Sequence, residues 1–207
     1  MTCAATADDA PAEAAGRGAL AERPGRQVPP AAGQPLFTVG HSTHPIEEFI
    51  AILRAHGVRH LVDVRTIPRS RHNPQFEGEA LAASLAGAGI DYRWAKELGG
   101  LRHARPGSIN GAWRNASFRG YADYMQTPEF AAAADALAAE ARGGGVAIMC
   151  AEAVPWRCHR SLVGDALLAR GVPVLDIMSA DAARPHALTS FAVVDGTTVS
   201  YPAVPER

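Results

Sequence analysis

Cysteine is scarce in this sequence: three residues in 207, one of them Cys3 near the start, too few to frame a disulfide scaffold. No apolar run approaches membrane-spanning length, so no membrane partner is expected. The first residues include acidic Asp8 and Asp9 and lack the apolar stretch of a secretory signal. An excess of one charge is missing as well: 20 Lys+Arg against 21 Asp+Glu leave a formal net charge of -1. Such a balance gives no general attraction to nucleic acid or anionic lipid, although a local basic patch stays compatible with it. Neither CxxC nor HExxH occurs. Reduced thiols make the cytoplasm the expected compartment.

Aromatic residues and isoleucine are also missing from residues 1–35, which are rich in Ala, Gly and Pro. A segment of that kind cannot bury enough apolar surface to offset its ordering entropy, and a disordered tail is expected there. Residues 36–207 suffice for one well-packed domain. Their apolar runs alternate in character. Leu36 to Val39, "HLVDVR", "DYRWA", "GVAIMC" and "VPVLDIM" read as strands, mostly apolar as in a sheet covered on both faces. Between them, Ile46, Phe49, Ile50 and Leu53 recur at helical spacing, with Thr43 as the expected N-cap and Gly57 at the end. "EGEALAASLAGAGI", "TPEFAAAADALAAEAR" with Thr127 as cap and Pro128 at its first position, and "HRSLVGDALLARG" read as further helices. "FAVVDGTTVSY" reads as a hairpin turning at Asp195-Gly196. The pattern predicts a single α/β domain with a mostly parallel sheet flanked by helices and a C-terminal hairpin.

Ligands of open α/β sheets bind outside the carboxyl ends of the strands, and the reactive residues of this chain gather there. His41 and Ser42 follow the first strand; Asp63, Arg65, Arg69 and Arg71 follow or end the second. Cys150, Glu152, Arg157, Cys158, His159 and Arg160 follow "GVAIM". Asp63 and Arg65, two apart on a strand, share a face and can form an ion pair, while the clustered arginines favour an anion. Cys158 sits where a loop turns into a helix beside Arg157 and Arg160, a setting that favours a thiolate. A loop containing Trp and Pro would partly desolvate Glu152, as a general acid requires. His159 adds a group that can titrate near neutrality.

Three chemistries fit these residue types. A thiolate nucleophile in a loop before a helix resembles rhodanese and cysteine-phosphatase logic, but Cys150 to Arg157 is Cys-x6-Arg, not Cys-x5-Arg, and the loop lacks glycines. Cys150, Cys158, His159 and His41 suit zinc or iron, although adjacent Cys158 and His159 would rarely reach one ion together. Acid–base hydrolysis would use Glu152 or Asp63, with Arg65, Arg69 and Arg160 on a small anionic or nucleotide-like substrate. The stretch from Glu97 to Met125 is polar and irregular; its Trp113, Phe118 and Tyr121 could form a lid, a stacking surface for nucleobases or a small core of their own. A non-catalytic nucleotide or nucleic-acid binding module is therefore the alternative to an enzyme.

"TVGHSTHPIEEF", "LVDVRTIPRSRHNPQF", "ELGG", "WRNASFRGYADYM" and "MCAEAVPWRCHRSLVGDALLARGV" together resemble the domain of unknown function 488 family, from about Phe37 to Ile177. The positions carrying that pattern are His41, Ser42, Asp63, Arg65, Pro68, Arg69, Glu97, Gly99, Gly100, Cys150, Glu152, Cys158, His159 and Arg160. The resemblance implies a small prokaryotic cytosolic α/β protein. It supplies no reaction and leaves the cofactor open.

Overall fold

The computed structural model describes residues 33–203, so the tail expected over residues 1–35 lies, except for its last three residues, outside the described part. Strand β1 (Leu36–Gly40) leads into helix α1 (Ile46–Ala55), then β2 (His60–Asp63), α2 (Gly78–Gly87) and β3 (Asp91–Trp94). Helices α3 (Ala116–Tyr124) and α4 (Pro128–Ala141) precede β4 (Val146–Cys150), which is followed by α5 (Arg160–Leu168) and β5 (Val174–Ser179). Strand β6 (Ala182–Pro185) and the hairpin β7 (Val193–Asp195) and β8 (Thr198–Ser200) complete the chain. The main sheet has the order β3-β2-β4-β1-β5-β6, all parallel except β6, which pairs antiparallel with β5. This is the expected α/β class with its terminal hairpin. No helix among the described residues is long and apolar enough to cross a membrane.

Both faces of the sheet are covered, which explains why β4 is buried at all five positions. Alternation divides its side chains. Ala147 and Met149 meet Phe49, Leu53, Leu81 and Leu85 from α1 and α2, while Val146, Ile148 and Cys150 meet the core built by α3, α4 and α5. Neighbouring β1 and β4 thus send their following helices to opposite faces. Their ends are in register, Gly40 beside Cys150, and β2 lies on the other side of β4 with Asp63 beside Met149. Loops parting in opposite directions at this switch point open the sheet edge where the reactive residues stand. Gly40 is required there: a Cβ would overlap the carbonyl oxygen of Glu152, which is rigid backbone.

Three local expectations fail. Helix α1 starts later than Thr43 suggests; Pro45 is the cap residue, without a side-chain hydrogen bond, because a turn closed by His44 N–H on His41 O occupies the preceding residues. The irregular segment contains α3, whose Asn115 side chain accepts from Ser117 N at 2.8 Å and Phe118 N at 3.4 Å. Strand β6 was not expected either.

A buried charged network binds β1, α5, β5 and the C-terminal segment together. His186 donates from Nδ1 to Asp176 at 2.9 Å and from Nε2 to Asp165 at 3.2 Å. Asp165 also accepts from Tyr201 Oη at 2.8 Å, and Asp176 from Thr38 Oγ1 at 2.6 Å. Burial alone would lower the His186 pKa, but the two carboxylates raise it to about 9. The ring is therefore a cation between two anions at neutral pH.

Candidate metal centre at the sheet edge

Cys150 ends β4 with its thiol buried on the α5 side. The chain then makes a nine-residue excursion, Ala151 to His159, before α5 begins. Arg160, fully buried, folds back over this excursion: Nη1 donates to Glu152 O and Nη2 to Ala153 O at 2.9 Å. Its Nε has no hydrogen-bond partner. The guanidinium expected to bind substrate is thus occupied as a clip on loop carbonyls.

The clip sets up the turn that follows. Cys158 is extended (φ -134°, ψ 143°) and His159 helical (φ -56°, ψ -17°). This abrupt change of backbone direction aims two adjacent side chains at one spot, against the expectation that neighbours would diverge. His159 Nε2 lies 2.9 Å from Val64 O, and a carbonyl can only accept, so that nitrogen carries the proton. Nδ1 faces Cys158 Sγ at 3.7 Å and Cys150 Sγ at 4.0 Å, and in the neutral ring it does so with its lone pair. The three ligand atoms all lie within 4.8 Å of one another, a grouping able to hold a metal ion. The hydrogen-bonding Cys158 thiol and burial push the Cys150 thiol well above its ordinary pKa. A protonated thiol is a poor nucleophile, which weighs against thiolate chemistry at Cys150 alone.

Two further residues hold the imidazole. Tyr121, expected to meet substrate, is completely buried; its ring packs 5.0 Å from that of His159 and its hydroxyl donates to Leu98 O at 2.9 Å. Gly100 also leaves no room for a side chain, because a Cβ would overlap His159 Nδ1. Gly100→Ala is accordingly expected to push the His159 ring out of place and to cost about 1–3 kcal/mol of stability, the scale of overpacking a close contact. Urea midpoints of the variant and the parent check this.

A second group stands beside the first. Asp63, wholly buried, accepts from Arg65 Nε at 2.9 Å, Arg65 N at 3.0 Å and Tyr92 Oη at 2.8 Å. The ion pair foreseen between Asp63 and Arg65 is present. Arg65 Nη1 points to His41 Nε2 at 3.3 Å, and His41 Nδ1 donates to Ser42 O at 2.8 Å. Burial first, and the Arg65 cation second, lower the His41 pKa to about 4, so the ring is neutral and stacks 4.1 Å from Phe76. Ser42 takes φ 48°, an uncommon left-handed conformation for serine. The two groups meet through Val64, whose flanking residues make the ion pair and whose carbonyl holds His159.

The other expected residues stand on the loops that carry these clusters. Arg69, Arg71 and Arg157 are exposed on the loops after β2 and β4, and Glu152 is half-buried. Trp113 stacks on Phe118 at 4.7 Å and meets Phe191 and Tyr201 edge-on, so the rings of the irregular segment extend the core on the α3, α4 and α5 face of the sheet and form no separate one. Clefts lined by His60, Asp91 and Glu140, and by Gln34, Arg59 and Gly144, open at the opposite, amino-terminal edge of the sheet.

Residues 45–167 match the family model described as Domain of unknown function DUF488, more than half of the chain. The chain belongs to the DUF488 family. The match runs from the start of α1 into α5, so the DUF488 region contains Asp63, Arg65, Gly100 and all three members of the Cys/His cluster, whereas His41 and Ser42 precede it. No curated protein and no solved structure matches this DUF488 chain.

Proposed function

We propose that this DUF488 protein is a metal-dependent enzyme in which Cys150, Cys158 and His159 hold zinc or iron and the substrate is a small anion or a nucleotide-like molecule. The observation that carries the reading is the convergence of two sulfurs and His159 Nδ1 within 4.8 Å of one another. Around a tetrahedral ion with bonds of about 2.3 Å to sulfur and about 2.0 Å to nitrogen, ligand atoms stand roughly 3.6 Å apart. The separations of 3.7 and 4.0 Å are close to that spacing. Two thiolates and an imidazole suit zinc or iron over magnesium or calcium. The hydrogen bond from Nε2 to a backbone carbonyl is the outer-shell contact that fixes a metal-binding tautomer.

Three protein ligands leave a fourth position for water or substrate, the arrangement of catalytic sites, and the ion there would act as a Lewis acid. Asp63 is engaged by Arg65 and Tyr92, which leaves Glu152, half-buried on the same loop, as the carboxylate to move a proton. Arg69, Arg71 and Arg157 are the guanidinium groups free to meet an anion from solvent.

One ion per chain is expected after reconstitution with Zn²⁺ or Co²⁺, with a thiolate-to-cobalt charge-transfer band. Cys158→Ser should weaken uptake at least tenfold and remove most of that band. Failure of the folded protein to bind any transition metal overturns the reading. Turnover of phosphate-ester model substrates by the loaded protein, lost in Cys158→Ser, is the expected activity; uptake with no turnover of any anionic substrate would make the site a structural one.

A further inference from the structure

Among the described residues six large apolar side chains are exposed, and four of them stand on one edge of the sheet. Ile67 follows β2, Trp94 ends β3, Leu101 lies seven residues beyond it, and Trp156 sits in the excursion after β4. Single exposed apolar residues are ordinary, but their concentration on one rim is not. Trp94 is 41% exposed and Trp156 56%. Trp94 is also held in place: its Nε1 donates to Arg65 O at 2.8 Å. Leu101 is pinned by its backbone N–H, which donates to Thr66 Oγ1 at 3.0 Å.

The same loops carry cations. Arg69, Arg71 and Arg157 are exposed there, and the Lys96 ammonium lies 6.0 Å from the Trp94 ring centroid. The acidic groups nearby are Glu97, paired with Arg93, Glu152, and Glu77, exposed beside Gly78, whose N–H donates to Pro68 O at 2.9 Å. The rim adjoins the Cys/His cluster directly: Val64 O accepts from His159 two residues before Thr66, and Gly100, packed on the His159 ring, immediately precedes Leu101.

The geometry points to single-stranded nucleic acid as the ligand of this rim, its bases stacked on Trp94 and Trp156 and its phosphates met by Arg69, Arg71 and Arg157. Exposed aromatic faces interleaved with cations are what a splayed strand needs, because every base offers a π-face and every linkage an anion. Trp94 ends β3 and Trp156 lies on the loop after β4, two strands separated in the sheet by β2. They are therefore placed to serve different bases along a strand. This inference deepens the metal-enzyme reading by naming its substrate class, a strand end or phosphodiester brought to the ion, and it rests on that reading for the chemistry alone.

The test uses the full chain loaded with Zn²⁺, with metal content measured on every sample. Fluorescein-labelled oligothymidylate and oligouridylate are titrated at several salt concentrations, with thymidine monophosphate as competitor. Binding that weakens as salt rises is expected. Trp94→Ala and Trp156→Ala should each weaken it about tenfold, and Arg157→Gln should lower the salt slope by about one, all with zinc retained. No strand binding at low ionic strength, or binding indifferent to both tryptophans, overturns the inference. A mononucleotide that competes as well per molecule as a whole strand overturns it too. Zinc bound without strand binding defeats this inference alone. Strand binding through both tryptophans without any metal uptake supports it while defeating the metal reading.

Discussion

Asp63→Ala should cost about 3–5 kcal/mol of folding stability, the scale for breaking a buried ion pair from one side. Asp63 is wholly buried and Arg65 is 5% exposed, so removal of the carboxylate leaves a guanidinium in the interior with the neutral His41 and the Tyr92 hydroxyl beside it and no anion to balance it. Tyr92 loses its acceptor in the same step. A double variant, Asp63→Leu with Arg65→Met, removes both charges at once and should recover most of the loss, because hydrophobic residues of similar volume commonly match or exceed a buried pair. Urea midpoints at constant slope measure each variant. A single variant as stable as the parent would show that the pair is not holding the loop after β2. The same series bears on chemistry: metal uptake that survives in the double variant separates this group from the Cys/His cluster it adjoins.

The second large effect is a pH dependence. His186 has a folded pKa of about 9 against an ordinary value of 6.5, so the folded state holds its proton more tightly than the unfolded chain. The stabilisation is complete below pH 6.5 and is lost as pH rises through about 9. Its size is about 3 kcal/mol, because each tenfold gain in proton affinity on folding contributes about 1.36 kcal/mol. Unfolding midpoints at pH 6 and pH 9.5 should differ accordingly, and His186→Ala should abolish that difference while lowering stability at pH 6. An unchanged slope in the variant would assign the dependence to other groups. Gly164 lets α5 approach this ring, since a Cβ there would fall 2.7 Å from His186 Nε2. Gly164→Ala is therefore the variant that disturbs the network without removing a charge.

Much of the architecture was legible because apolar periodicity records it directly. "GVAIMC" was readable as a buried strand, and Thr127-Pro128 as a helix start, whose cap accepts from Phe130 N at 3.3 Å. Gly57 and Gly196, with φ 67° and 61°, sit at the helix end and hairpin turn where glycine was expected. What escaped was set by distant partners. Helix α3 is weakly apolar and hidden in a polar stretch, and its glycine, Gly120, is needed because a Cβ would meet Arg102 O at 2.5 Å. Strand β6 is short and mostly exposed, with little pattern to read. At the site, the convergence of Cys150, Cys158 and His159 was visible as crowding, but the role of each residue was not. Arg160 carried the same sequence signal as an anion-binding arginine, and Tyr121 the same as a substrate contact. The structure spends one on loop carbonyls and the other on Leu98 O. The Gly99-Gly100 pair was visible as part of the family pattern, but what it makes room for was not: Thr66 and His159 approach it closely.

The Arg160 clip has a thermodynamic consequence. Small metallodomains that fold around an ion convert binding energy into folding energy, and chelators denature them. Here the excursion from Ala151 to His159 is already tied down by a buried guanidinium, and the imidazole by a backbone carbonyl. An ion entering the proposed site would meet preorganised donors with little chain left to order, so most of its binding energy would stay available as affinity. Stripping the ion should accordingly empty the cradle while the scaffold around it stays standing.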